Sequence, residues 1–124
     1  MAGKIGKYNV DDNVKHPTRY YSDKQEKSVS KAIGGKQTSN SGATMFQKGD
    51  VLSSKFLLEC KTKTSHCDSI SVKKEWITKN KEESIFMNKD YSAVVINFGP
   101  DEENYYIIDE KLFQLLNEYL KNEE

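Results

Sequence analysis

Long hydrophobic runs are missing from this sequence. No stretch approaches the roughly 20 apolar residues that a membrane-spanning helix requires, and the opening residues, MAGKIGKYNV, lack the apolar centre of a secretory signal. A cytoplasmic protein with no membrane partner is the expectation. Cysteine is scarce as well: Cys60 and Cys67 are the only two, in a context that gives no reason to expect a disulfide. With His66 they remain one ligand short of a tetrahedral zinc set, so free thiols are expected. Net charge is also missing, with 19 basic against 19 acidic residues, which at first counts against a nucleic-acid partner.

The distribution of that charge reverses the impression. Residues 1–81 carry 16 Lys and Arg against 8 Asp and Glu, whereas residues 82–124 carry 3 against 11. Such asymmetry is compatible with one basic surface facing a polyanion and an acidic, solubilising end. A length of 124 residues fits one domain with a modest core.

Residues 1–21 show no usable periodicity and read as a flexible arm of basic and tyrosine residues, leaving 22–124 as the folded domain. The SDKQ run predicts a capping box, with Ser22 as N-cap and Gln25 three positions on. The helix it opens should end at Gly34-Gly35. Val29, Ala32 and Ile33 are its apolar residues, and Glu26 shares the face of Val29 and Ile33. An inward glutamate is costly unless something pairs with it.

A polar loop follows over 34–49. Its glycine amides and serine hydroxyls suit phosphate contact, and Lys36 and Lys48 add charge; Gln37, Ser39, Asn40 and Ser41 are further candidates for touching DNA. Three short strands are predicted, over 50–52, 55–63 and 68–72. A helix over about 73–88 should present Trp76, Ile77, Asn80 and Ser84 inward and display Lys73 and Lys74 as possible phosphate contacts. SAVVINF, 92–98, is a continuous apolar run of the kind found in a central strand. Another strand at 105–108 and a final helix capped by Asp109, with Leu112, Phe113, Leu116, Tyr119 and Leu120 inward, complete an α/β domain. A single mixed sheet flanked by helices is therefore the expected fold.

Chemistry is concentrated in GDV…FLLECK. Glu59 and Lys61 lie two apart on a strand and point the same way, while Phe56, Leu58 and Cys60 occupy the opposite face. Glu-x-Lys alone is a weak signal, because Glu and Lys are both abundant. Its context strengthens it: Asp50 opens the neighbouring strand, and Glu26 projects from the preceding helix. Carboxylates converging from three elements repel one another unless a cation joins them, and oxygen donors suit Mg²⁺ or Mn²⁺. A lysine beside that ion could orient a water or neutralise charge developing on phosphorus. This is equipment for phosphodiester hydrolysis, although an ordinary surface ion pair and a turn aspartate remain the alternative.

On these residues the sequence resembles the PD-(D/E)XK nuclease superfamily, over about 22–98, and within it is most similar to small phage Holliday-junction resolvases. The resemblance implies a restriction-endonuclease-like αβββαβ core and metal-dependent DNA cleavage. It implies Asp50, Glu59 and the Cys60 backbone carbonyl as metal ligands, Lys61 as the catalytic lysine and Glu26 as an accessory carboxylate. It also implies a homodimer acting on branched DNA, in the host cytoplasm if the chain is phage-encoded. The proline of the family's name is absent, with Gly49 before Asp50. A nuclease of ordinary duplex and a DNA-binding module that does not cleave stay open.

Overall fold

The computed structural model describes residues 16–38 and 50–124. Its first helix, α1 (Thr18–Ile33), begins one residue after Pro17, whose φ of −64° is already set for helix entry. Ser22 therefore lies a full turn inside, its hydroxyl donating back to the Thr18 carbonyl, and is not the N-cap that the SDKQ pattern predicts. The end falls where expected. Gly34 takes the left-handed conformation, φ 68°, and its N–H closes on the Ser30 carbonyl.

Two short strands and a longer one form an antiparallel meander: β1 (Lys36–Gln37), β2 (Val51–Leu52) and β3 (Phe56–Thr62). Gln37 stands opposite Val51, and Val51 opposite Leu58. A tight turn joins the last two, with the Ser53 and Phe56 backbones bonded at 3.0 Å and the Ser53 hydroxyl accepting from the Phe56 N–H. Gly35 leads into β1 at a place where a Cβ would stand 2.4 Å from the Leu52 carbonyl oxygen. Only glycine lets the two backbones approach so closely.

Helix α2 (Lys74–Phe86) crosses over to β4 (Tyr91–Asn97), which runs parallel to β3 from Phe56 opposite Tyr91 to Thr62 opposite Asn97. Strand β5 (Asn104–Ile107) pairs antiparallel with β4, and α3 (Glu110–Asn122) closes the chain. The result is one small α/β domain with a five-stranded mixed sheet in the order β1-β2-β3-β4-β5. No helix among the described residues is long and apolar enough to cross a membrane.

Two expectations about the strands change. Residues 68–72 form no strand. Both edges of β3 are already occupied, by β2 and by β4, and a parallel β3-to-β4 connection must leave the sheet to climb over it. The third member of the meander is instead Lys36–Gln37, inside the stretch read as loop. Ser39, Asn40, Ser41 and Lys48 lie outside the described residues, as does most of the expected arm; its last residues, from Thr18, belong to α1.

The sheet is covered on both faces. On one, Val29 of α1 meets Val51, Leu58, Cys60, Ala93 and Val95, with Ile33 at the margin; Ala32, expected inward, is exposed. On the other, the fully buried Asn80 of α2 donates one amide group to the carbonyls of Leu57 and Ala93, both at 3.1 Å. That side chain ties α2 to β3 and β4 together, which explains a polar residue at the centre of the helix's inner stripe. Asp109 caps α3 as predicted, accepting from the Leu112 N–H at 2.8 Å. The stripe behind the cap does not turn inward, however: no residue of α3 is buried.

Candidate functional site

The site grows from a fork in the sheet. Strands β2 and β3 are paired through Val51 and Leu58, and the Asp50 N–H still reaches the Leu58 carbonyl at 2.9 Å. One step further the ladder changes character. The Cys60 N–H bonds to the Asp50 side chain, Oδ2, at 2.8 Å. The carboxylate therefore occupies the opening where the strands part, held by a backbone donor.

From this fork extends a cleft of about 690 Å³, lined among others by Arg19 and Glu26 of α1, Asp50, Glu59 and Lys61 of the strands and Trp76 of α2. Glu59 and Lys61 point toward α2, opposite to Cys60, as the period of two requires. Lys61 Nζ lies 3.2 Å from Glu59 Oε2, with the glutamate side chain only 16% exposed and the lysine 35%. The same ammonium sits 5.0 Å from the centroid of the Trp76 ring, a distance at which the ring's negative face attracts it. Lys61 is thus fixed from two sides.

Glu26 is 8% exposed and reaches the fork from α1. Its Oε1 accepts from the Gln37 amide at 3.0 Å, and the same amide donates to Asp23 at 2.9 Å. Burial pushes the Glu26 carboxyl above its ordinary range; the Gln37 bond, the Arg19 charge and a hydrogen bond with Asp50 oppose the shift. Asp50 is displaced further, pushed up to about 7. Burial is the main cause, the Cys60 N–H resists it, and the charges of Glu26 and Glu59 add to it. Two carboxyls in hydrogen-bonding contact hold a proton between them more readily than two negative charges.

The four side chains expected to carry chemistry, Glu26, Asp50, Glu59 and Lys61, all line this one cleft, as does Cys60. The Cys60 thiol itself is buried, and desolvation raises its pKa far above the range in which thiolates form, so it is inert as a nucleophile. Among the described residues no three His, Cys, Asp or Glu side chains stand in ready metal-ligand geometry. The acids are arranged as a Glu26–Asp50 pair and a Glu59 whose near neighbour is the Lys61 ammonium.

The expected DNA contacts are distributed differently. Lys73 lines the cleft. Lys74 is exposed at the start of α2, and Lys36 is exposed on the sheet's edge strand. Gln37 turns inward, its amide committed to Asp23 and Glu26.

Three participants escape sequence reading. Arg19, assigned to the arm, sits on the first turn of α1 at the cleft wall. Trp76 is legible as an inward helix residue, but its pairing with Lys61 depends on the crossover geometry. Gln25 is buried, its amide bonded to the carbonyls of Lys61 at 3.1 Å and Val95 at 3.3 Å. It locks the β3 backbone at the position from which the catalytic candidate projects. The capping-box pattern gives it a different role, beside Ser22; its true signal is its place four positions before Val29, on the same inward face.

No family model, curated protein or solved structure matches this chain.

Proposed function

We propose that the protein is a metal-dependent DNA endonuclease of the PD-(D/E)XK type, with four-way junctions as its favoured substrate. The observation that carries this reading is the convergence at one strand fork of Asp50, Glu59 and Lys61, with Glu26 arriving from the preceding helix. The order of elements, a helix, a three-stranded meander, a helix and a parallel strand, agrees with what the sequence resemblance implies.

In the chemistry of its atoms, though not in an assembled three-side-chain geometry among the described residues, the donor set is of the kind a hard divalent cation takes. It offers carboxylate oxygens, keeps the thiol turned into the core, and carries an acid whose proton affinity is raised first by burial and then by the charges of Glu26 and Glu59, the part of the shift that a cation relieves. Asp50 and Glu59, with the Cys60 carbonyl, are the residues that would hold it. A bound Mg²⁺ or Mn²⁺ supplies a Lewis acid for the phosphoryl oxygen and acidifies a water.

The chain's own residues do the remainder. The Cys60 N–H orients the Asp50 carboxylate, and Gln37 holds Glu26 beside it. Lys61 carries a positive charge two positions beyond Glu59 on the same strand face, where it stabilises charge that develops on the phosphate or directs the attacking water. Trp76 keeps the ammonium over the cleft. Around the acidic floor, Arg19, Lys73 and Lys79 supply positive charge to the walls, although Lys79 is shared with Glu75 at 3.2 Å. A polyanionic strand lying across the cleft meets cations at its edges and carboxylates at its centre.

Labelled four-way junction and matched linear duplex, each incubated with Mg²⁺, separate the possibilities. Paired symmetric nicks confined to the junction, and lost in Asp50→Asn, are the expected result. Equal cutting of the duplex overturns junction preference. Binding of both without cutting in Mg²⁺ or Mn²⁺ overturns the nuclease reading and leaves a binding module.

Trp76 supplies a finer test. Trp76→Ala removes the ring from Lys61, an attraction worth about 0.5–2 kcal/mol. The cleavage rate is expected to fall about 3- to 30-fold, while Trp76→Phe retains most of it. Equal activity of Trp76→Ala and the parent in single-turnover assays would remove Trp76 from the site.

A further inference from the structure

Helix α1 has a cavity on either side. One is the cleft of the candidate site. The other, about 290 Å³, lies between the helix and the turn from β4 to β5, and Thr62 borders both. Small-molecule sites span about 300–1,000 Å³, so this one has room for a small group only. Tyr21 and Pro100 give it apolar walls. The Tyr21 ring packs against Tyr20, with centroids 5.1 Å apart and planes at 90°, and against His16 at 5.9 Å. Such contacts fix the plane of a ring that lies outside the core cluster.

The polar part of the lining is incomplete in a specific way. Gln25, 5% exposed, lines this cavity and not the cleft. Its Nε2 lies within 3.4 Å of three oxygens, on Lys61, Val95 and Asn104, which fixes the orientation of the amide. Its Oε1 has no partner among the described residues, and buried acceptors are seldom left so. Ser28, exposed at the rim, accepts from Asn104 Nδ2 at 3.1 Å, and a hydroxyl that accepts still has a proton to give. The cavity therefore offers one acceptor and one donor beside an aromatic ring.

We propose that this cavity takes a single unpaired nucleobase from the strand lying in the cleft, stacked on Tyr21 and read along its edge by Gln25 and Ser28. The proposal deepens the nuclease reading, and rests on it for the strand in the cleft. Chemistry and position select this occupant. Each base carries donors and acceptors along its edge, the complement of Oε1 and the Ser28 hydroxyl, and each has a face that stacks on an aromatic ring. The cavity also adjoins the cleft. The Gln25 amide that lines it is bonded to the Lys61 carbonyl at 3.1 Å, so a base entering here belongs to a nucleotide beside the phosphate that Lys61 meets. A base within a duplex has its edge paired and its faces stacked, and must leave the helix to enter. The cavity thus reads unpaired nucleotides and ignores intact duplex.

Fluorescence anisotropy of the full chain with labelled single-stranded DNA, in chelator so that nothing is cut, is the test. The comparison is a sugar–phosphate chain of the same length without bases. The parent is expected to bind the base-bearing strand about 10-fold more tightly than the abasic one. Tyr21→Ala is expected to lose that preference and Tyr21→Phe to keep it. Ser28→Trp, which fills the cavity from its exposed rim, is expected to lose it as well, and decides the matter even where Tyr21→Ala fails to fold. Affinity for duplex of equal length should be the same in all of them. A parent that binds both single strands equally overturns the proposal, as does a Ser28→Trp variant that folds and keeps the parent's preference. Free deoxyadenosine monophosphate that displaces the strand at equal concentration marks a mononucleotide site and overturns the strand-borne occupant. Cutting in Mg²⁺ by a parent without base preference removes this inference alone. Base preference without any cutting removes the nuclease reading and leaves the base site standing.

Discussion

On the proposed nuclease reading, Lys61→Met is expected to lower the Mg²⁺-dependent cleavage rate by about 10²- to 10⁴-fold, while DNA affinity measured in chelator changes by no more than a few-fold. The prediction follows from how the lysine is held. Its ammonium is 3.2 Å from Glu59 Oε2 and 5.0 Å from the Trp76 centroid, and methionine keeps much of the apolar stem against the ring while deleting the charge. A residue that only fills space or pairs on the surface would show the opposite pattern, with little change in rate, because exposed ion pairs contribute on the order of 1 kcal/mol or less. Single-turnover cleavage and binding isotherms, run side by side, make the distinction. A rate within about 3-fold of the parent would return the Glu59–Lys61 pair to the status of an ordinary ion pair. Glu59→Gln gives an independent check: it is expected to reduce the rate comparably, and partial recovery at higher Mn²⁺ concentration would mark a lost ligand.

The second large effect is on stability, and its sign is unusual for an aspartate. Burial and the charges of Glu26 and Glu59 push Asp50 from an ordinary value of 3.8 up to about 7. In the folded state the group therefore binds its proton more tightly than in the unfolded chain. Below pH 4 both states are protonated and the shift has no consequence. Between about pH 4 and pH 7 the folded state holds the extra proton, so stability falls as pH rises. Above pH 7 the full penalty is present.

Asp50→Asn removes it and preserves the acceptor for the Cys60 N–H. At pH 8 the variant is expected to be more stable than the parent by about 2–4 kcal/mol, equivalent to roughly 10 °C or more in Tm for a domain of this size. The difference should shrink toward zero at pH 4. Millimolar Mg²⁺ should raise the Tm of the parent at pH 8 and leave that of the variant unchanged, because a ligand stabilises only the state that binds it. Thermal melts at pH 4, 6 and 8, with and without Mg²⁺, test every part. A variant less stable than the parent at pH 8 would show that the Asp50 carboxylate is not held under electrostatic strain.

Much of this architecture is visible in local sequence, and the exceptions have identifiable causes. SAVVINF announces β4 because a strand covered on both faces leaves no room for alternation. Asp109 announces the start of α3 because its side chain can satisfy an otherwise orphaned N–H. Gly34 ends α1 for the converse reason. Ser22, by contrast, matches a capping pattern that the chain does not use: Pro17 begins the helix a turn earlier, and nothing in the SDKQ run encodes that competition.

DSISV has strand-like composition, but both edges of β3, the strand before it, are already taken by β2 and β4, a fact that belongs to the whole sheet. Lys36–Gln37 has the reverse property, becoming strand only because Leu52 and Val51 present an edge to it. The site divides in the same way. Asp50, Glu59 and Lys61 are legible because a strand fixes their relative direction. Trp76, Arg19 and Gln25 are not, since each is brought in by the route a helix takes across the sheet.

Gln25 has one more consequence. Its amide is fastened to the peptide oxygen of Lys61, and its neighbour along the helix is Glu26, so the acid on α1 and the amine on β3 take their positions from a common peptide unit. Loss of that one amide removes a tie between helix and strand at the place where both groups are seated.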